Sequence, residues 1–204
     1  MSIILLRHGE TALNAARVLQ PADTPLSERG LAQARAAARR LAGMGIVGIV
    51  SSDQPRAVMT AEPLEAATGL RASTTALLQE RNFGDLRGRA YDEIGFDPLA
   101  TDYTPPNGED WDTFRERVAL AFAHVVGLRA GLPGSLAVVT HGLVIRAMLA
   151  EHARLGSESA LPERLGNTSV TILAPVAPHL VSLLNCVRHL DDAVADDAKS
   201  LAGF

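Results

Sequence analysis

The chain has 204 residues, 47% of them hydrophobic and 21% charged, which is enough to build the core of one globular domain and excludes global disorder. Its formal net charge of −4 provides no basic surface for a nucleic-acid backbone. A single cysteine, Cys186, excludes an intramolecular disulfide and a cysteine-based zinc site, which is typical of proteins in a reducing compartment. We therefore expect a cytoplasmic protein that does not bind nucleic acid.

Short apolar runs recur along the chain and predict buried strands. The first, residues 3–6, has the pattern of a strand covered on both faces. It is too short for the core of a signal peptide or for a membrane span, so we expect no targeting segment. Further runs of the same kind occupy residues 46–50, 136–139, 170–173 and 180–184.

Segments with a helical period lie between these strands. Ser27 is a candidate N-cap for the first helix. Pro55 suits the first turn of a second helix, which Gly69 would end. Asp110 is a candidate cap for a third helix, and a fourth follows the strand at 136–139. Strands that alternate with helices predict a three-layer α/β/α fold with a mostly parallel central sheet.

Residues 82–110 break this alternation. They are rich in Gly, Asp and Pro and carry no long apolar period, which predicts an inserted loop or helical cap region that covers a site. We expect residues 1–190 to form a single domain that includes this insertion. In residues 191–204 Asp and Ala recur, which predicts a solvated C-terminal tail.

The carboxyl ends of the predicted strands carry charged and imidazole side chains. The first strand ends in Arg7 and His8, the second leads to Arg56, and the strand at 136–139 leads to His141. Ligands of open parallel sheets bind at this edge. Two guanidinium groups suit the oxygens of a phosphoryl group, whereas no carboxylate cage for a hard cation is evident. A neutral imidazole can then act as the nucleophile, which predicts a phosphoryl-transfer site without a metal.

The helix that begins after His141 and Gly142 would add its N-terminal amides to the same anion site. Each of these residues alone has a simpler explanation, because an isolated histidine at a strand end is more often structural and an isolated arginine is more often solvated or ion-paired. Their convergence from separate strands favours the functional interpretation.

Several sequence blocks, in order from residue 5 to about residue 184, carry a family resemblance. They are residues 6–11 with Asn14, 26–34, 51–57 with 60–61, 78–84, 107–111 and 139–142. Together they resemble the histidine phosphatase superfamily, also called the phosphoglycerate mutase-like family. This resemblance implies the fold described above and a phosphatase that needs no metal and no cofactor.

The resemblance also implies roles for individual residues. His8 would be the nucleophile that becomes phosphohistidine, and Glu80 would be the proton donor to the leaving oxygen. The phosphoryl oxygens would be bound by Arg7, Arg56 and His141, with Asn14 as a weaker contact.

The residues alone leave the acid open. Glu80 could equally form an ion pair with Arg81 at the end of a helix or strand. Glu10 and Glu109 are alternatives for the acid, although Glu109 stands at a helix start, where acidic residues are favoured in any case.

Two positions depart from the family pattern. Pro21 stands where many members have Gly, so any phosphate contact from a backbone amide there is lost. Leu86-Arg87-Gly88 stands where an aromatic-Glu-Gly sequence is frequent. Arg87 and Arg89 either bind a second anionic group of the substrate or are two exposed loop arginines.

Three functions agree with these observations: a phosphomonoesterase, a cofactor-dependent phosphoglycerate mutase, and a phosphate-binding module without turnover. The mutases carry an aromatic-rich segment after the first motif, whereas residues 18–25 contain no aromatic residue. A binding module could lose its nucleophile or its acid, but His8 and Glu80 are both present. We therefore expect a phosphatase with a small phosphorylated substrate, without a membrane partner, and compatible with a homodimer.

Overall fold

The computed structural model describes residues 1–156 and 160–191. Its strands are, in chain order, β1 (Ile3–Arg7), β2 (Ile46–Ser52), β3 (Ala72–Thr75), β4 (Ser135–Thr140), β5 (Val170–Leu173) and β6 (Val181–Cys186). They form a six-stranded sheet in the order β3-β2-β4-β1-β5-β6. Strands β3, β2, β4 and β1 are parallel neighbours, whereas β5 is antiparallel to both β1 and β6. The predicted, mostly parallel sheet is confirmed.

Helices cover both faces of this sheet. They are α1 (Ala12–Ala15), α2 (Glu28–Leu41), α3 (Pro55–Thr68), α4 (Trp111–Ala130) and α5 (Gly142–His152). Because side chains alternate along a strand, Ile3 and Leu5 of β1 belong to the core shared with α4 and α5. Ile4 and Leu6 belong to the core shared with α2 and α3. The three-layer α/β/α arrangement predicted from the sequence is therefore confirmed.

The predicted helix ends are also found. The Ser27 hydroxyl accepts a hydrogen bond from the Gly30 amide at 3.0 Å, and the Asp110 carboxylate accepts one from the Thr113 amide at 2.7 Å. Gly69 ends α3 with φ of 73°, in the left-handed region that glycine adopts without strain. These caps fix where α2 and α4 begin and where α3 ends.

Residues 82–110 form a loop instead of a helical cap. They contain two short 3-10 turns, Gly84–Leu86 and Tyr91–Glu93, and neither an α-helix nor a strand of the sheet. The loop is tied to the segment after α1, because the Gly88 amide donates to the Leu19 carbonyl at 2.7 Å and the Leu19 amide donates to the Arg89 carbonyl at 3.0 Å. Only Asp191 of the predicted C-terminal tail falls within the described residues. No helix among residues 1–156 and 160–191 is both long enough and apolar enough to span a membrane.

Candidate active site

The sheet brings the predicted site residues together at one edge. Arg7 is the last residue of β1, and it is aligned with Thr140, the last residue of β4. His141 follows Thr140 as the N-cap of α5. Arg56 lies in the first turn of α3, which follows β2. Because β2, β4 and β1 are adjacent, their carboxyl ends place these side chains in one cluster.

A pocket of about 500 Å³, open to solvent, lies over this cluster. Its lining includes five of the predicted site residues: Arg7, His8, Asn14, Arg56 and Glu80. His141 adjoins the pocket through His8, with 5.1 Å between the centroids of the two imidazole rings. Gly142 is buried in the first turn of α5 and is not part of the lining.

His8 is held as a neutral imidazole with a defined tautomer. Its Nδ1 lies 2.7 Å from the carbonyl oxygen of Gly9. A carbonyl can only accept a hydrogen bond, so Nδ1 carries the proton and Nε2 keeps its lone pair. Burial, followed by the positive charges of Arg7 and Arg56, lowers the pKa of His8 well below its usual value. The Nε2 lone pair is therefore available as a nucleophile near neutral pH.

His141 is held through its other ring nitrogen, Nε2, and its free nitrogen carries a proton instead of a lone pair. Its Nε2 lies 2.9 Å from the Ser52 hydroxyl, which accepts a hydrogen bond from the Gln54 amide at 3.3 Å. The hydroxyl proton can then be donated to Nε2, which leaves the proton of a neutral ring on Nδ1. Burial, followed by the charge of Arg56, lowers the pKa of His141 well below its usual value. Nδ1 is buried and has no acceptor in the described part of the chain.

Backbone carbonyls orient the two arginines at the base of the pocket. Arg56 donates to the Pro21 carbonyl at 3.2 Å and to the side-chain oxygen of Gln54, while Arg7 donates to the Leu165 carbonyl. Burial lowers the pKa of Arg56 to about 10, so that it stays charged near neutral pH. Pro21, which cannot offer an amide to a phosphate, thus supplies a carbonyl that holds Arg56 in place.

Glu80 is a carboxyl group with a raised pKa. It accepts hydrogen bonds from two backbone amides, that of Arg81 at 3.1 Å and that of Leu143 at 3.2 Å. Both bonds favour the charged form, but burial outweighs them and raises the pKa of Glu80 above its usual value. A carboxyl group that keeps its proton to higher pH is suited to general acid catalysis.

The alternative ion pair between Glu80 and Arg81 is wrong. The Arg81 guanidinium donates to the carbonyls of Glu109, Pro98 and Tyr103. It also lies 4.1 Å from the centre of the Trp111 ring. The part of Arg81 that contacts the Glu80 carboxylate is its backbone amide, not its guanidinium. Arg81 therefore supports the wall of the pocket and leaves Glu80 facing it.

We expected the N-terminal amides of α5 to bind a phosphoryl oxygen, but one of them has a different partner. The Leu143 amide, in the first turn of α5, donates to Glu80 and is therefore occupied. This part of the helix end positions the carboxyl group instead of standing free for a phosphoryl oxygen.

The two alternative acids are engaged elsewhere. The Glu10 carboxylate accepts from the Ser27 hydroxyl at 2.9 Å and pairs with Arg29 at 3.4 Å. Both oxygens of Glu109 accept from Arg117 at 2.8 Å. Neither residue lines the pocket. Among the three candidate acids, only Glu80 faces the same space as His8.

The turn after β1 is fixed by close contacts that sequence reasoning did not assign to the site. The Gly9 amide donates to the Thr60 hydroxyl at 3.0 Å, and that hydroxyl donates to the Arg56 carbonyl at 2.6 Å. A Cβ atom at Gly9 would lie 2.6 Å from the carbonyl oxygen of Gly30. Ser52, Gln54 and Thr60 lie in blocks 51–57 and 60–61 of the family resemblance, but polar residues at strand ends and in first turns commonly serve as caps, so the sequence alone assigned them no role in the site.

The structure separates the two loop arginines. Arg87 is half-buried and lines the pocket. Arg89 is exposed, and its guanidinium donates to the Glu93 carbonyl at 3.3 Å. The interpretation as two exposed arginines therefore holds for Arg89 alone. No group of three or more His, Cys, Asp or Glu side chains within residues 1–156 and 160–191 is arranged to hold a metal ion.

Comparison with known proteins places these features in a family. The sequence model of the histidine phosphatase superfamily (branch 1) matches residues 3–181. A curated relative from Yersinia pestis, named probable phosphoglycerate mutase GpmB, is 32% identical over 183 residues, which cover 84% of this chain and 83% of the relative.

Solved structures agree in fold over nearly the same length. A mycobacterial glucosyl-3-phosphoglycerate phosphatase in complex with inorganic phosphate is 30% identical with a TM-score of 0.77, covering 93% of this chain and 99% of that one. The protein YhfR from Bacillus stearothermophilus is 29% identical with a TM-score of 0.79, covering 92% of this chain and 98% of that one.

Proposed function

This chain is an enzyme of the histidine phosphatase superfamily (branch 1), and from that premise we propose that it is a metal-independent phosphomonoesterase acting on a small phosphorylated metabolite. One observation carries the proposal: the Nε2 lone pair of His8 and the carboxyl group of Glu80 share a pocket with Arg7 and Arg56. This arrangement contains a nucleophile, a proton donor and two fixed positive charges, which together suffice for phosphoryl transfer.

The first step forms a bond between Nε2 of His8 and phosphorus while the bond from phosphorus to the ester oxygen breaks. Arg7 and Arg56 neutralise the charge on the phosphoryl oxygens, and Nδ1–H of His141 donates to one of them. Glu80 transfers its proton to the departing oxygen. The hydrogen bond from Nδ1 of His8 to the Gly9 carbonyl stabilises the positive charge that develops on the ring.

The second step reverses these roles. The Glu80 carboxylate accepts a proton from water, whose oxygen attacks phosphorus as the bond to Nε2 breaks. Inorganic phosphate leaves, and both His8 and Glu80 return to their starting forms. In this cycle Glu80 gives and takes the proton, and Arg7, Arg56 and His141 offset the charge of the phosphoryl group.

The relatives support both a phosphatase and a second candidate function. The mycobacterial structure is named a phosphatase, whereas the curated relative is named a probable phosphoglycerate mutase. A mutase shares the first step and then returns the phosphoryl group to a retained intermediate. We favour the phosphatase because residues 18–25, part of which line the pocket, contain no aromatic residue. The cytoplasmic location and the homodimer remain predictions.

Trapping the intermediate tests the proposal. Rapid quenching during turnover of a radiolabelled substrate should yield an acid-labile, base-stable adduct on His8, as expected for a phosphoramidate, and the His8→Ala variant should yield none. Mapping of the label to His141 would exchange the two histidine roles. The absence of any adduct in the wild-type protein would contradict the covalent mechanism and favour direct attack by water or binding without turnover.

A further inference from the structure

A second cavity, the α4–α5 groove, lies beside the active-site pocket and is not used by the reaction described above. It has a volume of about 1070 Å³ and is open to solvent. It is bounded by the first turn of α4, by one face of α5 and by residues 99 and 101 of the loop. Its apolar lining residues are Leu99, Trp111, Phe114, Leu143, Ala147 and Ala150.

The charged residues of the groove balance one another. Two arginines and two glutamates line it, namely Arg115, Arg146, Glu151 and Glu163, so their formal charges cancel. Arg115 lies 3.4 Å from the Glu151 carboxylate, and Arg146 donates to the Pro162 carbonyl at 2.6 Å. A cavity with apolar walls and no net charge favours an uncharged, apolar occupant.

The groove adjoins the pocket at the general acid. Leu143 is common to the two linings, and its amide donates to the Glu80 carboxyl group at 3.2 Å. A second contact borders both cavities, because the Arg81 guanidinium of the pocket lies 4.1 Å from the centre of the Trp111 ring of the groove. The groove therefore begins next to Glu80.

The geometry of phosphoryl transfer directs the alcohol part of the substrate to this side. The attacking and departing atoms lie roughly in line on opposite sides of phosphorus, so the ester oxygen faces away from Nε2 of His8. The same oxygen must lie within hydrogen-bond reach of Glu80 to receive its proton. The carbon chain attached to that oxygen consequently extends from the Glu80 side of the pocket, where Leu143 leads into the groove.

We propose that the α4–α5 groove binds the alcohol part of the substrate, so that the preferred substrates are phosphomonoesters of alcohols with a large, uncharged apolar group. This inference rests on the proposed function and specifies its substrate class. Ala147 and Ala150 are the small side chains on the α5 wall, and they leave the space that such a group would fill.

A series of alkyl phosphates and two matched variants test this assignment. Ethyl, butyl and hexyl phosphate have leaving groups of nearly equal acidity, so differences in phosphate release report on binding of the chain. In the wild-type protein kcat/KM should rise by about two- to fourfold for each methylene group that enters the groove. Ala147→Leu fills the groove and should reduce the preference for hexyl over ethyl phosphate by about tenfold or more. Ala123→Leu, at an exposed position of α4 outside the groove, is the control and should keep the preference.

A binding measurement makes the test independent of turnover. In the His8→Ala background, Kd values for ethyl and hexyl phosphate should show the same preference and the same loss on Ala147→Leu. Circular dichroism checks that each variant folds, and Ala150→Leu replaces Ala147→Leu if the latter does not.

Three results would overturn the assignment. They are a kcat/KM that does not depend on chain length in the wild-type protein, a preference for hexyl phosphate that survives in the folded leucine variant, and an equal loss for every chain length in that variant. The last result would indicate that the substitution acts through the Leu143 contact with Glu80 and not through a bound chain. If the wild-type protein binds hexyl phosphate more tightly than ethyl phosphate but hydrolyses neither, the proposed function fails while the apolar site stands.

Discussion

The Thr60 hydroxyl accepts a hydrogen bond from the Gly9 amide at 3.0 Å. Because the same hydroxyl donates to the Arg56 carbonyl, one side chain joins the turn that carries His8 to the helix that carries Arg56. The position of His8 relative to Arg56 is therefore fixed by the hydrogen bonds of Thr60. Thr60 is a positioning residue, since it acts through Gly9 and Arg56 and does not line the pocket.

Replacing this hydroxyl should impair both stability and catalysis. In Thr60→Val the buried Gly9 amide loses its acceptor, which should lower the free energy of unfolding by about 1–3 kcal/mol. A small displacement of His8 relative to Arg56 should lower kcat by about tenfold or more, because misplacement by about 1 Å is sufficient for such losses. Thr60→Ser, which keeps the hydroxyl, should retain kcat. Equal kcat values in the valine and serine variants would show that Thr60 is only structural.

Glu80→Gln should separate substrates by their leaving groups. An alkyl or sugar alkoxide needs a proton as it departs, whereas a nitrophenolate hardly does. A positioned acid contributes about 10²–10⁴-fold, so the variant should lose most activity on an alkyl phosphate and far less on p-nitrophenyl phosphate. The glutamine oxygen can still accept from one of the two backbone amides, and loss of the other contact should lower the free energy of unfolding by about 1–3 kcal/mol, a change that affects both substrates alike.

Glu109→Gln is the matched control for this experiment. It weakens the paired contacts with Arg117, so it should lower the melting temperature and leave the dependence on leaving group unchanged. If Glu109→Gln, and not Glu80→Gln, selectively impaired the alkyl phosphate, the acid would have to be reassigned to Glu109.

The pH dependence of kcat/KM for an alkyl phosphate follows from two pKa shifts in opposite directions. Burial lowers the pKa of His8, so activity is lost only as the pH falls through that lowered value and protonates Nε2. Burial raises the pKa of Glu80, so activity is lost as the pH rises through that raised value and removes the acid's proton. We expect a bell-shaped profile whose alkaline limb disappears in Glu80→Gln. Persistence of that limb in the variant would contradict Glu80 as the acid.

Hydrolysis of p-nitrophenyl phosphate should persist in the presence of a chelator. The positive charges of Arg7 and Arg56 lie where a metal would otherwise neutralise the phosphoryl group. His8→Ala should reduce turnover by at least about a thousandfold, as expected on loss of a covalent nucleophile. Activity that vanishes with chelator and returns with Mg²⁺ would exclude this mechanism.

Interconversion of 3- and 2-phosphoglycerate should be slow even with a bisphosphate primer. A mutase must retain its intermediate while it reorients, and residues 18–25 provide neither an aromatic nor a basic side chain for that purpose. The measurement compares primed mutase turnover with phosphate release from the same substrate. A mutase rate well above the rate of release would replace the functional assignment and leave the site residues unchanged.

The sequence predicted most of the sheet, because five of its strands are apolar runs. It did not predict β3, whose Ala-Ser-Thr-Thr sequence is mostly polar since the strand lies at the edge and pairs with β2 alone. The four-residue helix α1 is too short to show a helical period. Residues 82–110 contain two 3-10 turns and no α-helix, and composition alone did not distinguish a helical cap from this loop.

Charged site residues were easier to predict than the residues that support them. Arg7 and His8 stand at the end of β1 and Arg56 stands in the first turn of α3 after β2, so the parallel sheet itself brings them together. Sequence spacing could not separate Arg87 from Arg89, because the local turn decides which of the two faces the pocket. The hydrogen-bond acceptors of the Arg81 guanidinium could not be predicted either, because they are backbone carbonyls distant in the chain.

The contact between Gly9 and Gly30 limits how this site can vary by mutation. A Cβ atom at Gly30 would lie 2.0 Å from the carbonyl oxygen of Glu10, and one at Gly9 would lie 2.6 Å from that of Gly30. Neither backbone can accept even a methyl group without moving the turn that carries His8 away from α2. In a saturation mutagenesis experiment Gly30 should therefore be as intolerant as a reacting residue, although it touches no substrate.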